Sequence, residues 1–155
     1  MPRRERFLAT PTSEPPVRVV LADDHDTYRY ALGALLAADG RLEVVGDAAD
    51  GRGALDLVHR FRPRVALVDV MMRPVDGFEV CAGLLTSATE VILLSAHEDP
   101  ELVARARAAG AAAYVSKDSS NEALCGVVLA VAAGRTSFDA VQPIERRGAP
   151  RPQKG

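Results

Sequence analysis

The sequence predicts a doubly wound α/β domain, a parallel sheet with helices on both faces. Three observations predict it. Strand-like apolar runs alternate with helix-period stretches five times from Val17 onward. The links between them are short. Four of the runs also end in a charged or hydroxyl residue, and in open α/β sheets ligands bind outside the carboxyl ends of the strands.

Each element has its own justification. Val17–Ala22 is an apolar run that leads into Asp23-Asp24. Tyr28, Ala31, Leu32, Leu35 and Leu36 then follow the i, i+3, i+4, i+7, i+8 spacing of an amphipathic helix. Residues 42–45 form a short strand, and 46–53 hold the turn region after it. Ala54, Leu57, Val58 and Phe61 define a second helix, stopped by Pro63. Val65–Asp69 reads as a buried strand with a carboxylate at its tip. Asp76, with Glu79 three residues on, has the spacing of a capping box ahead of a third helix containing Phe78, Val80 and Leu84.

Residues 91–94 lead as a strand into Ser95. Asp99-Pro100-Glu101 combines an N-cap, a proline at the first helical position and an acid at the positive end of the dipole. That fourth helix ends at Gly110. Residues 112–116 form the last strand, ending in Ser116 and Lys117. Ser119 and Glu122 repeat the capping-box spacing before Leu124, Val127, Val128 and Val131, and Gly134 closes the fifth helix. Five strands and five helices give a flavodoxin-like sheet of expected order 2-1-3-4-5.

Size and charge narrow the function classes. The 155 residues suffice for one domain, with 48% hydrophobic and 26% charged residues as in a globular protein. Residues 1–16 read as a flexible leader, 17–138 as the domain and 139–155 as a proline-bearing tail without apolar period, expected to be disordered. Net charge is −2 and pI about 5.9, so no global basic field draws the chain to nucleic acid. Arg146, Arg147, Arg151 and Lys154 lack interleaved aromatics to stack bases, and direct DNA binding is not expected. Arg3-Arg4-Glu5-Arg6 has no apolar stretch behind it to make a signal peptide, and no window is long enough to span a membrane. Cys81 and Cys125 are too few for a disulfide framework, which fits a reduced, cytoplasmic setting.

The strand tips carry the chemistry. From Asp23 to Asp69 is 46 residues, two βα units; Asp69 to Ser95 is 26 and Ser95 to Lys117 is 22, one unit each. All four tips therefore fall on one edge of the sheet. Asp23-Asp24 alone would ordinarily be a helix N-cap, and the set is what points to a site. Crowded carboxylates raise one another's pKa unless a cation is present, and Mg²⁺ takes hard oxygen ligands while keeping waters for phosphate. One carboxylate can then attack phosphorus, with Lys117 and Ser95 binding the transferred oxygens.

These residues carry a resemblance. Val-Leu-Ala-Asp-Asp-His at 20–25, Val-Asp-Val-Met-Met at 68–72 with Asp76-Gly77, Leu-Ser-Ala at 94–96 and Tyr-Val-Ser-Lys-Asp at 114–118 resemble the receiver domain of two-component response regulators. The Asp-Asp-His, residues 46–51 and Lys117-Asp118 are most similar to receivers of the NarL/FixJ subfamily.

The resemblance implies that Asp69 accepts a phosphoryl group from a histidine kinase or phosphotransfer protein. It implies Mg²⁺ held by Asp24, by Asp23 largely through water, by Asp69 and by the backbone carbonyl of Met71. Ser95 and Lys117 would bind phosphoryl oxygens, and Tyr114 would turn inward as Ser95 is drawn to the phosphate. The output would be contact with a downstream protein through the fourth helix, fifth strand and fifth helix. Whether that face also pairs two copies as a homodimer stays open.

Two departures stand out. The family usually has Met-Pro three and four positions after the acceptor; here Met72 is followed by Arg73, and Pro74 comes fifth. Arg73 sets a cation beside the metal loop. His97, two residues past Ser95, borders the site as a second tuning residue, while His25 is expected to pack at the start of the first helix and His59 to lie on a helix surface. NarL/FixJ relatives also continue into a helix-turn-helix domain, where this sequence stops.

Competing readings are a phosphate-independent receiver, a transcriptional regulator that has lost its output domain, and a phosphatase with a nucleophilic Asp. The last wants a second Asp two positions on, where Met71 stands. A flavin site is weaker still, because the first loop is acidic. The expected protein is a single-domain regulator that handles its own phosphoryl group and does not act on a separate metabolite.

Overall fold

The computed structural model describes residues 14–136 and Phe138, so most of the expected leader and all of the expected tail lie outside the described residues. Five parallel strands form one sheet: β1 (Val17–Ala22), β2 (Leu42–Ala48), β3 (Val65–Asp69), β4 (Glu90–Ser95) and β5 (Ala113–Ser116). Their order is β2-β1-β3-β4-β5, the order expected of a flavodoxin-like sheet. The helices are α1 (Asp26–Ala37), α2 (Gly51–Phe61), α3 (Gly77–Gly83), α4 (Pro100–Ala108) and α5 (Asn121–Ala132).

The period of two along each strand sorts the core into two layers. Val19, Leu21, Val65, Leu67, Ile92, Leu94, Ala113 and Val115 pack under α1 and α5, against Leu32, Leu36, Leu124, Val127, Val128 and Val131. The alternate residues Val20, Ala22, Ala66, Val68, Val91, Leu93 and Tyr114 pack under α2, α3 and α4. Every residue of β3 is buried, which is why its run is continuous rather than alternating. Truncating a core side chain such as Leu67 to Ala costs about 2–5 kcal/mol, so the site rests on a stiff platform.

Two local expectations need correcting. β2 does not stop at Val45 but runs to Ala48: Val45 is the extra residue opposite the Val19–Val20 step, and beyond it pairing with β1 continues through Ala22↔Ala48. The cap of α5 is Ser120, whose hydroxyl accepts from the Ala123 N–H at 3.1 Å. Ser119 is taken up by the preceding turn, its N–H donating to the Ser116 carbonyl at 3.0 Å. The Asp76–Glu79 capping box forms in both directions, each bond 2.9 Å. Both cysteines are free and buried.

Candidate functional site

The four strand tips meet at one edge of the sheet. β1 delivers Asp23, β3 delivers Asp69 and β4 delivers Ser95, all three buried, and Lys117 follows directly on β5. Lys117 Nζ lies 2.7 Å from Asp23 Oδ2 and 3.4 Å from Asp69 Oδ2. The backbone helps to fix this lysine: its N–H donates to the Ser95 carbonyl at 2.8 Å. Asp69 Oδ1 accepts from the Met71 N–H at 3.4 Å. Burial, and next the Asp23 charge, push the Asp69 carboxyl up to about 6, opposed by Lys117 and the Met71 N–H.

The donor set fits a hard divalent cation. Carboxylate oxygens of Asp23, Asp24 and Asp69 and a ring nitrogen of His25 all lie within 4.8 Å of one another. Asp23 Oδ2 is buried and makes no hydrogen bond among the described residues, the ammonium meeting it only as an ion pair. A buried carboxylate oxygen in that condition is a natural ligand for a cation or for a water bound to one. His25 stands at the N-cap position of α1 with no side-chain cap bond, and its ring, contrary to expectation, does not pack there. It is 71% exposed, with Nδ1 3.3 Å from Asp23 Oδ1 and 3.2 Å from Asp24 Oδ1.

Two close approaches seat the loop after β3. The Gly77 N–H donates to the Val70 carbonyl at 3.0 Å, and a Cβ at Gly77 would stand 2.6 Å from the Asp69 carbonyl and 2.9 Å from Leu93. Gly51 likewise admits no Cβ, because the Val75 backbone fills that space. The pairing Asp76-Gly77 thus holds α3 tight against the acceptor strand. Arg73 and Met71 are exposed on this loop, lining a cleft with Asp24, Phe78 and Arg105.

Ser95 and Tyr114 converge on the backbone of His97. The Ser95 hydroxyl donates to the His97 carbonyl at 3.1 Å and accepts from the His97 N–H at 3.0 Å. Tyr114 Oη donates to the same carbonyl at 2.7 Å, and its ring stands inward, 1% exposed.

Three neighbours of the site escape sequence reasoning. Arg29 is buried inside the apolar stripe of α1. Its Nε donates to Asp47 Oδ2 at 2.8 Å, one guanidinium nitrogen donates to the Asp23 carbonyl at 2.7 Å, and the other lies 3.0 Å from Asp26. It thereby ties the end of β1 to the end of β2, with Asp47 as the second of the three. The only hint in the sequence is an arginine one position after a stripe residue. Tyr28, the third, belongs to the stripe by spacing, yet its ring faces Lys117 Nζ at 4.5 Å from the centroid. Burial, and then Asp23, Asp69 and Asp118, push its phenol up to about 12.

Comparison with known proteins agrees with this geometry. The family model described as "Response regulator receiver domain" matches residues 19–129. The probable transcriptional regulatory protein NarL of Mycobacterium tuberculosis is 40% identical over 129 residues, 82% of this chain and 58% of that protein. The transcriptional regulatory protein DegU of Brevibacillus brevis is 34% identical over 124 residues, 79% of this chain and 52% of its own length. The chain thus spans little more than half the length of these relatives. The solved signal receiver domain of the M. tuberculosis NarL superposes with TM-score 0.77 at 40% identity, covering 79% of this chain and all of that one. A LuxR-family response regulator from Aurantimonas gives TM-score 0.76 at 27% identity, over 85% of this chain and 97% of that chain. The chain belongs to the response regulator receiver family.

Proposed function

We propose that the protein accepts a phosphoryl group on Asp69 from a histidine kinase or phosphotransfer protein, in a Mg²⁺-dependent reaction. The observation that carries this reading is Lys117 lying between two buried carboxylates, 2.7 Å from Asp23 and 3.4 Å from Asp69. A carboxylate oxygen of Asp69 attacks phosphorus as the bond to the donor nitrogen breaks, and that electron pair leaves with the donor imidazole. Lys117 holds the equatorial oxygens as their charge spreads. Asp23, Asp24, Asp69 and the Met71 carbonyl would hold Mg²⁺, which supplies the positive charge that lets an anionic phosphoryl group approach an acidic pocket.

Ser95 links transfer to output. To reach a phosphoryl oxygen its hydroxyl leaves the His97 carbonyl, which Tyr114 also holds. His97 stands two residues before Asp99, the N-cap of α4. Displacing that backbone shifts the α4-β5-α5 face, where a downstream protein or a second copy would dock. The reading includes a cytoplasmic setting and no separate metabolite as substrate. No described helix is long and apolar enough to cross a membrane.

Intact-mass spectrometry after incubation with acetyl phosphate and Mg²⁺ tests it. One phosphoryl adduct on the parent, absent with EDTA and absent in Asp69→Asn, is the expected result. No adduct with excess donor and rapid quench would overturn it in favour of a phosphate-independent binding module, with Arg73 as the first residue to revert to proline.

A further inference from the structure

We propose that Tyr28 is a positioning residue for phosphoryl transfer, its ring face holding the Lys117 ammonium in reach of both Asp23 and Asp69. The inference rests on the functional reading above. A lysine side chain is flexible, and an ammonium has three donors but no fixed fork to set its direction. Here two sides of that ammonium meet carboxylates and a third lies over the Tyr28 ring at 4.5 Å. The side chain of Lys117 is only 13% exposed, so the ring stands where water would otherwise compete for the ammonium.

The character of the contact matters. A hydrogen bond holds its donor along one direction, whereas attraction to a ring quadrupole falls off gently as the cation slides across the face. At rest the ammonium lies nearer Asp23 than Asp69. It can move toward a phosphoryl group on Asp69 while keeping the ring beneath it. The phenol is neutral at ordinary pH, and burial and then Asp23, Asp69 and Asp118 push it further up, so the face presents a quadrupole and not a phenolate charge that would trap the lysine. Tyr28 is also apart from the purely apolar work of α1, for Leu32 and Leu36 fill the core while Tyr28, a turn or more nearer the strand tips, is only partly buried.

The chain has two lysines, Lys117 and Lys154, which makes the contact measurable. With ¹³C-lysine labelling, the Lys117 ε-methylene signal is assigned by Lys154→Arg and reports the ring current of Tyr28 with no phosphodonor present. An upfield position is expected in the parent and in Tyr28→Phe, and its loss in Tyr28→Leu. With acetyl phosphate and Mg²⁺, Tyr28→Phe should be phosphorylated near the parental rate and Tyr28→Leu roughly 3- to 30-fold more slowly. Equal rates in Leu and parent would overturn the proposal alone, as would an unshifted ε-methylene in the parent. A parent that keeps the shift but takes no phosphoryl group overturns the functional reading, and this proposal with it.

Discussion

The two edges of the sheet are both charged, but they use charge in opposite ways. At the amino edge, Arg18 donates to the Phe61 carbonyl at 2.7 Å and Arg64 to the Ala132 carbonyl at 3.0 Å. Those carbonyls lie at the C-termini of α2 and α5, where cations satisfy orphan acceptors and the dipole together. The buried Thr89 hydroxyl likewise donates to the Pro63 carbonyl at 2.6 Å. Each of these three donors has a neutral, fixed partner. At the carboxyl edge Asp23 and Asp69 are buried beside each other, and one lysine serves both. The first arrangement holds elements in place, whereas the second crowds buried acids around one ammonium, a cluster of oxygens that could hold a cation.

Lys117→Ala should break this distinction most severely. Loss of the single ammonium facing the transferred oxygens is expected to slow phosphorylation by acetyl phosphate about 100- to 1000-fold, the scale for one preorganised charge or donor. Arg29→Met comes next. It leaves the Asp23 carbonyl and Asp47 without their guanidinium, and a destabilisation of about 2 kcal/mol is expected in urea titrations. The same variant should weaken Mg²⁺ binding, because Asp23 loses the tie that seats it.

How much of this was legible in the sequence follows from which periodicity each residue obeys. The strands and the tips Asp23, Asp69, Ser95 and Lys117 follow from period and spacing, both of which local sequence carries, while the strand order is an expectation of the fold class alone. Tyr28 lies on the helix stripe and Arg29 one position past it, where spacing speaks only for burial and is silent on which charge waits across the gap. The extension of β2 to Ala48 passes through a register shift at Val45, a pairing event with no local signal. Ser120 displaced Ser119 as a cap because the turn ahead claimed one residue more. The exposed His25 ring lies against the carboxylates of Asp23 and Asp24, a placement that the order of residues alone does not fix.

The strain at the carboxyl edge has a pH signature. The Asp69 carboxyl is raised to about 6 in the folded chain from 3.8. The folded state therefore binds more protons than the unfolded one between these values, and stability falls as pH rises through that window. Asp69→Asn should accordingly stabilise the metal-free protein by about 1–3 kcal/mol above pH 6, with the advantage vanishing below about pH 4. Adding Mg²⁺ should shrink the gap, because the parent regains a partner for its carboxylates. Chemical denaturation at several pH values, with EDTA and with Mg²⁺, checks both statements. An Asp69→Asn protein no more stable than the parent at pH 7 in EDTA would contradict the assignment of burial as the dominant influence.

The smallest effect sharpens the comparison from the other side. Arg18→Met removes a charged donor from the Phe61 carbonyl while its partly buried aliphatic portion is kept in kind. Because water can reach the carbonyl, the expected loss is about 1 kcal/mol, below that of a buried charged bond. Phosphorylation by acetyl phosphate should be unchanged, since the substitution lies at the opposite end of β1 from Asp23. If the rate fell along with stability, the two edges would be energetically coupled through β1. The division of labour between them would then be a matter of degree.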